Sequence, residues 1–561
     1  MIKSDQDYPT NAKSDCKAVM LLFSSNTLYI VMTFFVLTLI LITNDLNISV
    51  MRKKMLKKNE HRKYSVMVDE NNNDKVDEKL KEAPGPKPKM IVGNLDALDG
   101  YEIPYQAFSV LAEKYGKIIK LQLGSVPSMV INGMENIKEV LVSKGQHFDS
   151  RPNFKRYHML FTLAFCDWSE VQRTRRDMLI PHTFPRKFSM NFNRFSDITM
   201  EHLQQLTVEI KSSMKELKSV SVKPLVVSTC ANIFTEYFTS RNFDRDNEKF
   251  QKLITNFDKI FWEVNQGYAS DFLPFLLPLR RNQMKQMEQW SHEIRNFINE
   301  NIITDRFESW NVGDEPNDYI DSLIDHVKQK LQPRFEWETV REEIKLRNSN
   351  SLTKFIIFIK ALFALEDIIG GHSAVANFVV KVLAFIAKHK EVQKNIQEEV
   401  DKLLNERSEH SVLIADRNKL IYTEAVIMES LRIVTSPIVP HVANQDSSID
   451  GYSVKAGTLI FLNNYDLNMS PSLWNEPEKF EPKRFIVDGR LVKPDHFIPF
   501  GVGRRSCMGY KMVQFLSFSI VANLLKEFDI SPLCNEDEIK VPVGSLAMSE
   551  NPYQFAFNLR T

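Results

Sequence analysis

A cysteine near the C-terminus lies in a loop whose residue types suit a deprotonated thiol. The loop reads Phe500-Gly501-Val502-Gly503-Arg504-Arg505-Ser506-Cys507-Met508-Gly509. The glycines permit close backbone approach, and Arg504 and Arg505 supply the positive charge that favours a thiolate. Apolar residues follow at helical spacing, so we expect a helix to begin just after Cys507 with its N-terminus towards the sulfur. The segment therefore predicts a loop that presents an anionic sulfur ligand.

A second candidate region is the long apolar segment 353–388. The charged residues that interrupt it are Lys360, Glu366, Asp367 and Lys381. Because charge inside hydrocarbon is costly, these positions favour a buried central helix over a membrane span. Gly370 and Gly371 in its middle each cost about 1 kcal/mol of helix stability relative to alanine. We therefore expect either a small-residue packing notch or the close approach of a flat ligand.

The spacing Phe-x-x-Gly-x-Arg-x-Cys-x-Gly, read at residues 500, 503, 505, 507 and 509, resembles the haem-ligand signature of the cytochrome P450 family. For an isolated cysteine, a buried and inert thiol in a turn is the alternative, but the match at all five positions favours the family. The resemblance implies haem b, with Cys507 as the axial ligand of its iron. The cofactor-binding residues that it implies are Cys507, Arg505, Arg176, His441, Phe500, Gly501 and Gly509.

The resemblance implies that Arg176 and His441 donate to the haem propionates. Family members carry a Trp-x-x-x-Arg segment in this part of the chain. Here Gln172 and Arg176 have that spacing, with glutamine in place of tryptophan, whereas Trp168 has no arginine four residues later. We favour the register of Gln172 and Arg176. A structural turn histidine is the alternative role for His441.

A charged trio is implied to support the fold. Glu429 and Arg432 are three residues apart, so a helix would place them on one face, where they can pair. Alone, this spacing is also that of a solvated surface pair. The later segment Phe480-Glu481-Pro482-Lys483-Arg484-Phe485 resembles the family's Pro-x-Arg-Phe segment. The resemblance implies that Arg484 joins Glu429 and Arg432 in a buried structural triad that takes no part in catalysis.

The central helix departs from the family pattern Ala/Gly-Gly-x-Asp/Glu-Thr, whose acid and hydroxyl deliver protons. This chain has Gly370-Gly371-His372-Ser373-Ala374, so serine replaces the acid and alanine replaces the threonine. Proton delivery needs a titratable or hydroxylic group within hydrogen-bond reach. We expect His372 or Ser373, ordered water or the substrate's own hydroxyl to take over. The alternative is that dioxygen is not activated at all.

Segments 366–374 and 507–514 are similar to those of the Spook-type members of arthropods, which are implicated in early steps from 7-dehydrocholesterol towards ecdysteroids. A flat, apolar sterol would suit an apolar pocket. Family position implies pocket-lining residues in three places, although each is also an ordinary core residue. These residues are Phe154, Tyr157 and Met159, then Val434, Ile438 and Val439, then Leu546 and Met548.

The N-terminal region predicts a membrane anchor. Residues 18–43 are almost uncharged and would form a helix of about 39 Å, which can cross a bilayer. A cleaved signal peptide and a buried core helix are the alternatives. A cationic cluster in residues 52–63 follows, so the positive-inside rule places the rest of the chain in the cytosol. We expect a luminal segment 1–17, an anchor 18–43 in the endoplasmic reticulum, a linker 44–83 and a haem domain 84–561.

Composition sets the class of the haem domain. With 43% hydrophobic and 25% charged residues, the chain can build a large globular core. Its 72 basic against 71 acidic side chains give no overall field for nucleic acid. The five cysteines suit a reducing compartment.

Helical patterns dominate, which predicts a mainly α fold with small β-sheets. The expected helices are 104–115, 194–219, 245–265, 282–308, 390–406 and 418–433, and the expected strands are 118–123, 128–131 and 458–463.

The predicted function is a membrane-bound haem-thiolate monooxygenase that oxidises a sterol, with electrons from an NADPH-cytochrome P450 reductase. Two alternatives stay open. Ala374 at the usual threonine position is compatible with a haem-thiolate isomerase or dehydratase that needs no reductase. The absence of both usual proton donors is compatible with a non-enzymatic haem-binding protein.

Overall fold

The computed structural model describes residues 80–159, 165–216, 219–311, 313–329, 365–408, 410–549 and 552–560. Contacts divide the chain into the two units Met1–Glu78 and Lys79–Thr561. The predicted luminal segment 1–17, the predicted anchor 18–43 and nearly all of the predicted linker 44–83 lie outside the described residues.

The described part is mainly helical, as its apolar periodicity predicts. Two π-helical turns, Glu139–Ser143 and Asn299–Ile303, extend α2 and join α8 to α9. The helices are α1 Pro104–Tyr115, α2 Met134–Lys138, α3 Glu170–Thr183, α4 Met190–Glu216, α5 Val222–Thr239, α6 Glu248–Val264, α7 Ala269–Phe272, α8 Arg281–Ile298, α9 Thr304–Ser309, α10 Tyr319–Gln329, α11 Gly371–Lys388, α12 Lys390–Arg407, α13 Ile421–Val434, α14 Asn464–Met469 and α15 Tyr510–Glu527. The six predicted helices are present, with ends shifted by a few residues.

Short strands form small sheets beside the helices. They are β1 Ile118–Leu123, β2 Val126–Ile131, β3 Val220–Ser221, β4 His441–Val442, β5 Ser447–Ile449, β6 Tyr452–Val454, β7 Leu459–Leu462, β8 Ile486–Val487, β9 Arg490–Leu491, β10 Phe528–Pro532 and β11 Gln554–Leu559. The largest sheet has the order β1-β2-β7-β4, with β2 and β7 parallel and the other pairs antiparallel. Another sheet has the order β10-β11-β3, and β5-β6 and β8-β9 are two-stranded.

The helix that contains α11 is the centre of the core. Within the described ranges it is the one helix, Leu365–Lys388, long and apolar enough to cross a bilayer, yet 78% of its most apolar window is buried in protein. It packs against α5, α13 and α15, and this agrees with its interpretation as a core helix. A Cβ on Gly370 would lie 3.0 Å from the Phe257 ring, and one on Gly371 3.2 Å from Phe234. The two glycines therefore form a packing notch for the helices on that side.

The predicted charged triad ties α13 to the segment Pro482–Phe485. Arg432 donates from Nε and Nη2 to the two oxygens of Glu429, each at 2.8 Å, and Arg484 donates from Nε to Glu429 Oε1 at 3.0 Å. The backbone N–H of Glu481 donates to the same oxygen at 2.9 Å. The side chains of Glu429 and Arg432 are fully buried. A buried carboxylate that accepts this many bonds is an anchor for the chain that precedes the cysteine loop.

Replacement of Glu429 tests this structural role. We expect Glu429→Ala to lower the free energy of unfolding by about 3–5 kcal/mol, because it leaves a buried arginine unpaired. Haem content should fall with the folded fraction. The matched control is Glu398→Ala, since Glu398 pairs only at the surface of α12, 3.6 Å from Lys394, and should cost less than about 1 kcal/mol. Denaturant unfolding of both variants measures this, and a stable, haem-replete Glu429→Ala protein would contradict the role.

Candidate functional site

Backbone geometry shapes the cysteine loop. The N–H of Cys507 donates to the carbonyl of Phe500 at 3.0 Å, which closes the loop on itself. Gly501 and Gly503 have φ of 68° and 78°, in the left-handed region that favours glycine. A Cβ on Gly503 would lie 2.0 Å from the carbonyl oxygen of Leu141, so only glycine lets this turn pack against the π-helical turn after α2. These constraints explain both glycines of the motif.

The sulfur of Cys507 faces a cavity, so its side chain is accessible there although protein surrounds it. Burial raises the pKa of the Cys507 thiol, while the backbone N–H of Gly509 and the charge of Arg176 act to lower it. Gly509 is the N-cap of α15, so the helix begins just after the cysteine, as predicted. Arg176 acts on the sulfur in place of the predicted Arg504 and Arg505. Arg504 pairs with Asp149 at 2.9 Å, and Arg505 donates to the carbonyl of Asp149 and to Gln172.

The cavity separates Cys507 from α11 and has a volume of about 460 Å³. On the α11 wall it is lined by Gly371, Ala374, Val375 and Phe378, whose spacing is that of one helical face. Phe500, Gly501 and Gly509 line it on the cysteine side, so the implied cofactor-binding residues of the loop share this space. A narrow apolar space with a thiol on one wall suits a flat ligand that carries a metal.

Five cationic or potentially cationic side chains line the cavity, namely Arg151, Arg175, Arg176, Arg505 and His441, together with one carboxylate, Asp367. Burial, together with the charges of Arg505 and Arg176, lowers the pKa of Arg151 to about 9. Burial, with Arg151 and Arg505 beside it, lowers the pKa of His441 to about 3. Mutually repelling cations in a partly dry space require anions. Haem b carries two propionates and would therefore fit this donor set, with Cys507 available to ligate its iron.

Arg505 and Arg176 are held in place by the backbone of the loop and of the segment before α3. Arg505 donates to the carbonyl of Asp149 at 2.9 Å, to that of Cys166 and to Gln172 Oε1 at 2.6 Å. Gln172 also donates to the carbonyl of Asp167 at 3.0 Å. The glutamine that stands in place of the family's tryptophan thus orients Arg505. Arg176 donates to the carbonyl of Ser506 at 2.7 Å.

Arg151 is a site residue that the sequence analysis missed. Its Nη1 donates to the carbonyls of Val439 and Pro440 at 3.3 Å each, so it links the chain before α3 to the chain before β4. His441 follows directly, and its Nδ1 donates to the carbonyl of Phe148. Neither bond has a signature in local sequence, because each joins segments nearly 300 residues apart. The Arg-Pro pair at 151–152 was the available but ambiguous signal.

The structure does not place the proposed proton donors on the cavity wall. His372 and Ser373 are fully buried, and neither lines the cavity, whereas Gly371 and Ala374 on either side of them do. His372 Nδ1 donates to the carbonyl of Ile369 at 2.6 Å, and Ser373 Oγ lies 3.3 Å from His372 Nε2. Burial lowers the pKa of His372 to about 4, so the ring is neutral at physiological pH. The helical period turns both side chains towards α5 and α6, where His372 packs on Phe257.

The other predicted lining residues divide into two groups. Val434, Ile438, Val439 and Leu546 line the cavity. Phe154 and Tyr157 instead pack in a separate apolar cluster with the first sheet and α1, and Met548 is buried in the main core. The side chain of Met159 lies outside the described residues. The described part of the chain contains no group of three or more His, Cys, Asp or Glu side chains that could hold a metal ion.

The close packing of Gly503 against the carbonyl of Leu141 predicts that this glycine cannot be replaced without a loss of stability. Gly503→Ala should destabilise the holoprotein by about 1–3 kcal/mol or more, because it adds left-handed strain and a clash with Leu141. Gly267→Ala is the matched control, since a Cβ there meets no protein atom within 4 Å and Gly267 does not line the cavity. Thermal unfolding and haem content report the difference. Equal behaviour of the two variants would show that the turn does not depend on Gly503.

The buried pair of Glu366 and Arg295 should make stability depend on pH. Burial raises the pKa of Glu366 to about 8 although Arg295 Nε lies 3.1 Å away. Since the folded state binds this proton more tightly, its stabilisation is complete below about pH 4.5 and is lost as pH rises through about 8. Glu366→Gln should flatten the dependence across this window. Denaturant unfolding of both proteins at several pH values measures it, and an unchanged slope would contradict the assignment.

Comparison with known proteins agrees with the geometry. The family model "Cytochrome P450" matches residues 83–557. Cytochrome P450 307a1 from Drosophila melanogaster is 37% identical over 501 residues, covering 84% of this chain and 88% of the relative. Cytochrome P450 1A1 from Pleuronectes platessa is 26% identical, covering 84% and 90%. Farnesoate epoxidase from Bombyx mori is 27% identical, covering 85% and 94%.

Proposed function

Because the chain belongs to the cytochrome P450 family, we propose that it is a membrane-anchored monooxygenase that oxidises a sterol in an early step of ecdysteroid biosynthesis. The family uses haem b with electrons supplied from NADPH through a reductase, and its members are monooxygenases. The observation that carries the proposal is the thiol of Cys507 facing an apolar cavity in a chain 37% identical to an insect cytochrome P450.

The chain's own residues bind and orient the reacting groups. When bound to Cys507, haem b supplies the activation of dioxygen by which one oxygen atom enters the substrate. The Gly509 N–H and Arg176 stabilise negative charge on the sulfur. Arg151 and Arg505 would offer positive charge to two propionates, whereas His441 could donate to one only as an imidazolium, because its Nδ1 N–H is bonded to the carbonyl of Phe148. The apolar wall then limits the access of bulk water to the cavity.

Proton delivery in this chain differs from the pattern of the family. On the α11 wall, Ala374 offers no hydroxyl, and the bonds of His372 and Ser373 point away from the cavity. We therefore assign proton delivery to ordered water or to a hydroxyl of the substrate itself. A hydroxylated sterol would satisfy this requirement and would also suit the aliphatic lining of Val434, Val439 and Leu546.

The membrane part of the proposal is supported by the sequence. The apolar residues 18–43 and the cationic residues that follow favour a single-pass anchor in the endoplasmic reticulum, with the haem domain in the cytosol. A cytosolic haem domain would meet the NADPH-cytochrome P450 reductase on the same side of the membrane. No nucleic acid is expected as a partner, since 72 basic and 71 acidic side chains balance.

Turnover in a reconstituted membrane tests the function. The full-length protein is combined with NADPH-cytochrome P450 reductase in phospholipid vesicles that contain 7-dehydrocholesterol. We expect an oxidised sterol whose formation requires NADPH and dioxygen, and complete loss of product in Cys507→Ala because the iron ligand is removed. Sterol conversion without NADPH or reductase would instead support the isomerase or dehydratase that Ala374 permits.

The negative outcome is also informative. If the haem-loaded protein converts no sterol, while a reference family member is active in the same vesicles, the sterol assignment is wrong. If the haem-loaded protein consumes no NADPH and also converts no sterol, the non-enzymatic haem-binding protein becomes the better description.

A further inference from the structure

The segment 541–549 forms part of the cavity wall through Leu546 and is bonded to three helices. It runs between the 3-10 turn Glu536–Glu538 and β11 without regular secondary structure of its own. Because such a segment has no ladder of backbone hydrogen bonds to fix its position, its place in the cavity wall depends on hydrogen bonds to neighbouring elements. Two lysines and one asparagine, all almost completely buried, supply these bonds.

Lys381 holds the segment on the N-terminal side of Leu546. It lies in the apolar helix α11 and is fully buried. Its ammonium donates to the carbonyl of Pro542 and to that of Ser545, each at 2.6 Å. None of the ion pairs found in the described ranges includes Lys381, and both of its bonds go to backbone carbonyls. An ammonium that is buried without a carboxylate partner is costly to desolvate, and burial accordingly lowers the pKa of Lys381 to about 7.

Lys223 and Asn377 hold the segment on the C-terminal side of Leu546. Lys223 Nζ donates to the carbonyls of Met548 and Ser549 at 3.0 Å each, and the N–H of Met548 donates to Asn377 Oδ1 at 3.1 Å. Asp258 on α6 connects the two, 2.7 Å from Lys223 Nζ and 2.9 Å from Asn377 Nδ2. Helices α5, α6 and α11 therefore meet at this end of the segment.

Between these two sets of bonds the backbone is confined further. The N–H of Gly544 donates to the carbonyl of Val434 at 2.8 Å, and Val434 itself lines the cavity. Gly544 has φ of 73°, and a Cβ there would lie 2.3 Å from Ile103. The turn is thus closely packed, and Leu546 is left with little freedom to move. Leu546 directly follows Ser545, whose carbonyl accepts from Lys381. It lies two residues before Met548, whose N–H donates to Asn377.

We propose that Lys381 and Lys223 are positioning residues that hold Leu546 at a fixed place in the cavity wall and thereby determine how bulky ligands are oriented at the iron. The proposal rests on the proposed function only in requiring that haem occupy the cavity. It explains why two costly buried ammonium groups bond to the backbone of one short segment. It also predicts that their loss changes ligand selectivity beyond any change in stability.

Two imidazole probes of different size test this without a known substrate. Both ligate haem iron and shift its Soret band, so titration of the holoprotein gives a dissociation constant for each. Imidazole is too small to depend on the wall, whereas 4-phenylimidazole must fit beside it. We expect Lys381→Met to change the affinity for 4-phenylimidazole by about fivefold and that for imidazole by less than about twofold.

The control is Lys388→Met, two turns later on the same helix, because Lys388 donates only to the carbonyl of Ile539 at 3.3 Å, outside the segment. It should leave both affinities within about twofold of the wild type.

Lys223→Met provides an independent test at the other end of the segment, and also serves if Lys381→Met does not fold. It should reproduce the selective change in 4-phenylimidazole binding.

A double-mutant cycle with Leu546→Ala separates positioning from general destabilisation. If the lysines act through Leu546, Lys381→Met should have less than about a twofold effect on 4-phenylimidazole binding once Leu546 is alanine. An undiminished effect in the Leu546→Ala background would overturn the proposal, as would equal changes for both probes. Normal probe binding with no sterol turnover would refute the proposed substrate and leave this inference standing.

Discussion

The constraint on which the structure depends is the need to keep charge inside an apolar cavity. A cysteine sulfur that is to ligate iron must carry negative charge, yet burial raises the pKa of the Cys507 thiol. The protein offsets this with the Gly509 N–H at the start of α15 and with Arg176 from α3. The same cavity gathers Arg151 and Arg505, whose mutual repulsion two propionates would relieve, and His441, which burial keeps neutral, lies beside them. The thiol and the cations thus make one electrostatic site for one cofactor.

The fold supplies rigid support for these charges in two places. The carboxylate of Glu429 joins α13 to the chain that leads to the cysteine loop, while α11 forms the opposite wall. Gly503 lets the loop pack against the backbone of Leu141, and Gly371 lets α5 approach α11. At Gly503 the missing side chain permits contact with a main-chain carbonyl, and at Gly371 it permits close packing of the Phe234 ring. Close packing around the cavity therefore depends on a few small residues.

Sequence patterns predicted the parts of the site that are local in the chain. The cysteine motif lies within ten residues and contains its own glycine turns, so its structure follows from its sequence. The central helix could be distinguished from a membrane span because its charges recur within it. By contrast, Arg151 and the bonds of Gln172 to Arg505 join distant segments, and local sequence carries no information about them. The sequence showed that Ala374 departs from the family pattern at the threonine position. It did not show that the side chains of His372 and Ser373 face away from the cavity.

The central claim is that Cys507 ligates haem iron as a thiolate, and the difference spectrum of the reduced, carbon-monoxide-bound protein tests it most directly. A thiolate-ligated haem gives a distinctive long-wavelength Soret band. We expect this band for the wild-type holoprotein and its loss in Cys507→Ala. A folded, haem-loaded wild-type protein without the band, or a Cys507→Ala protein that retains it, would contradict the ligand assignment and the chemistry inferred from it.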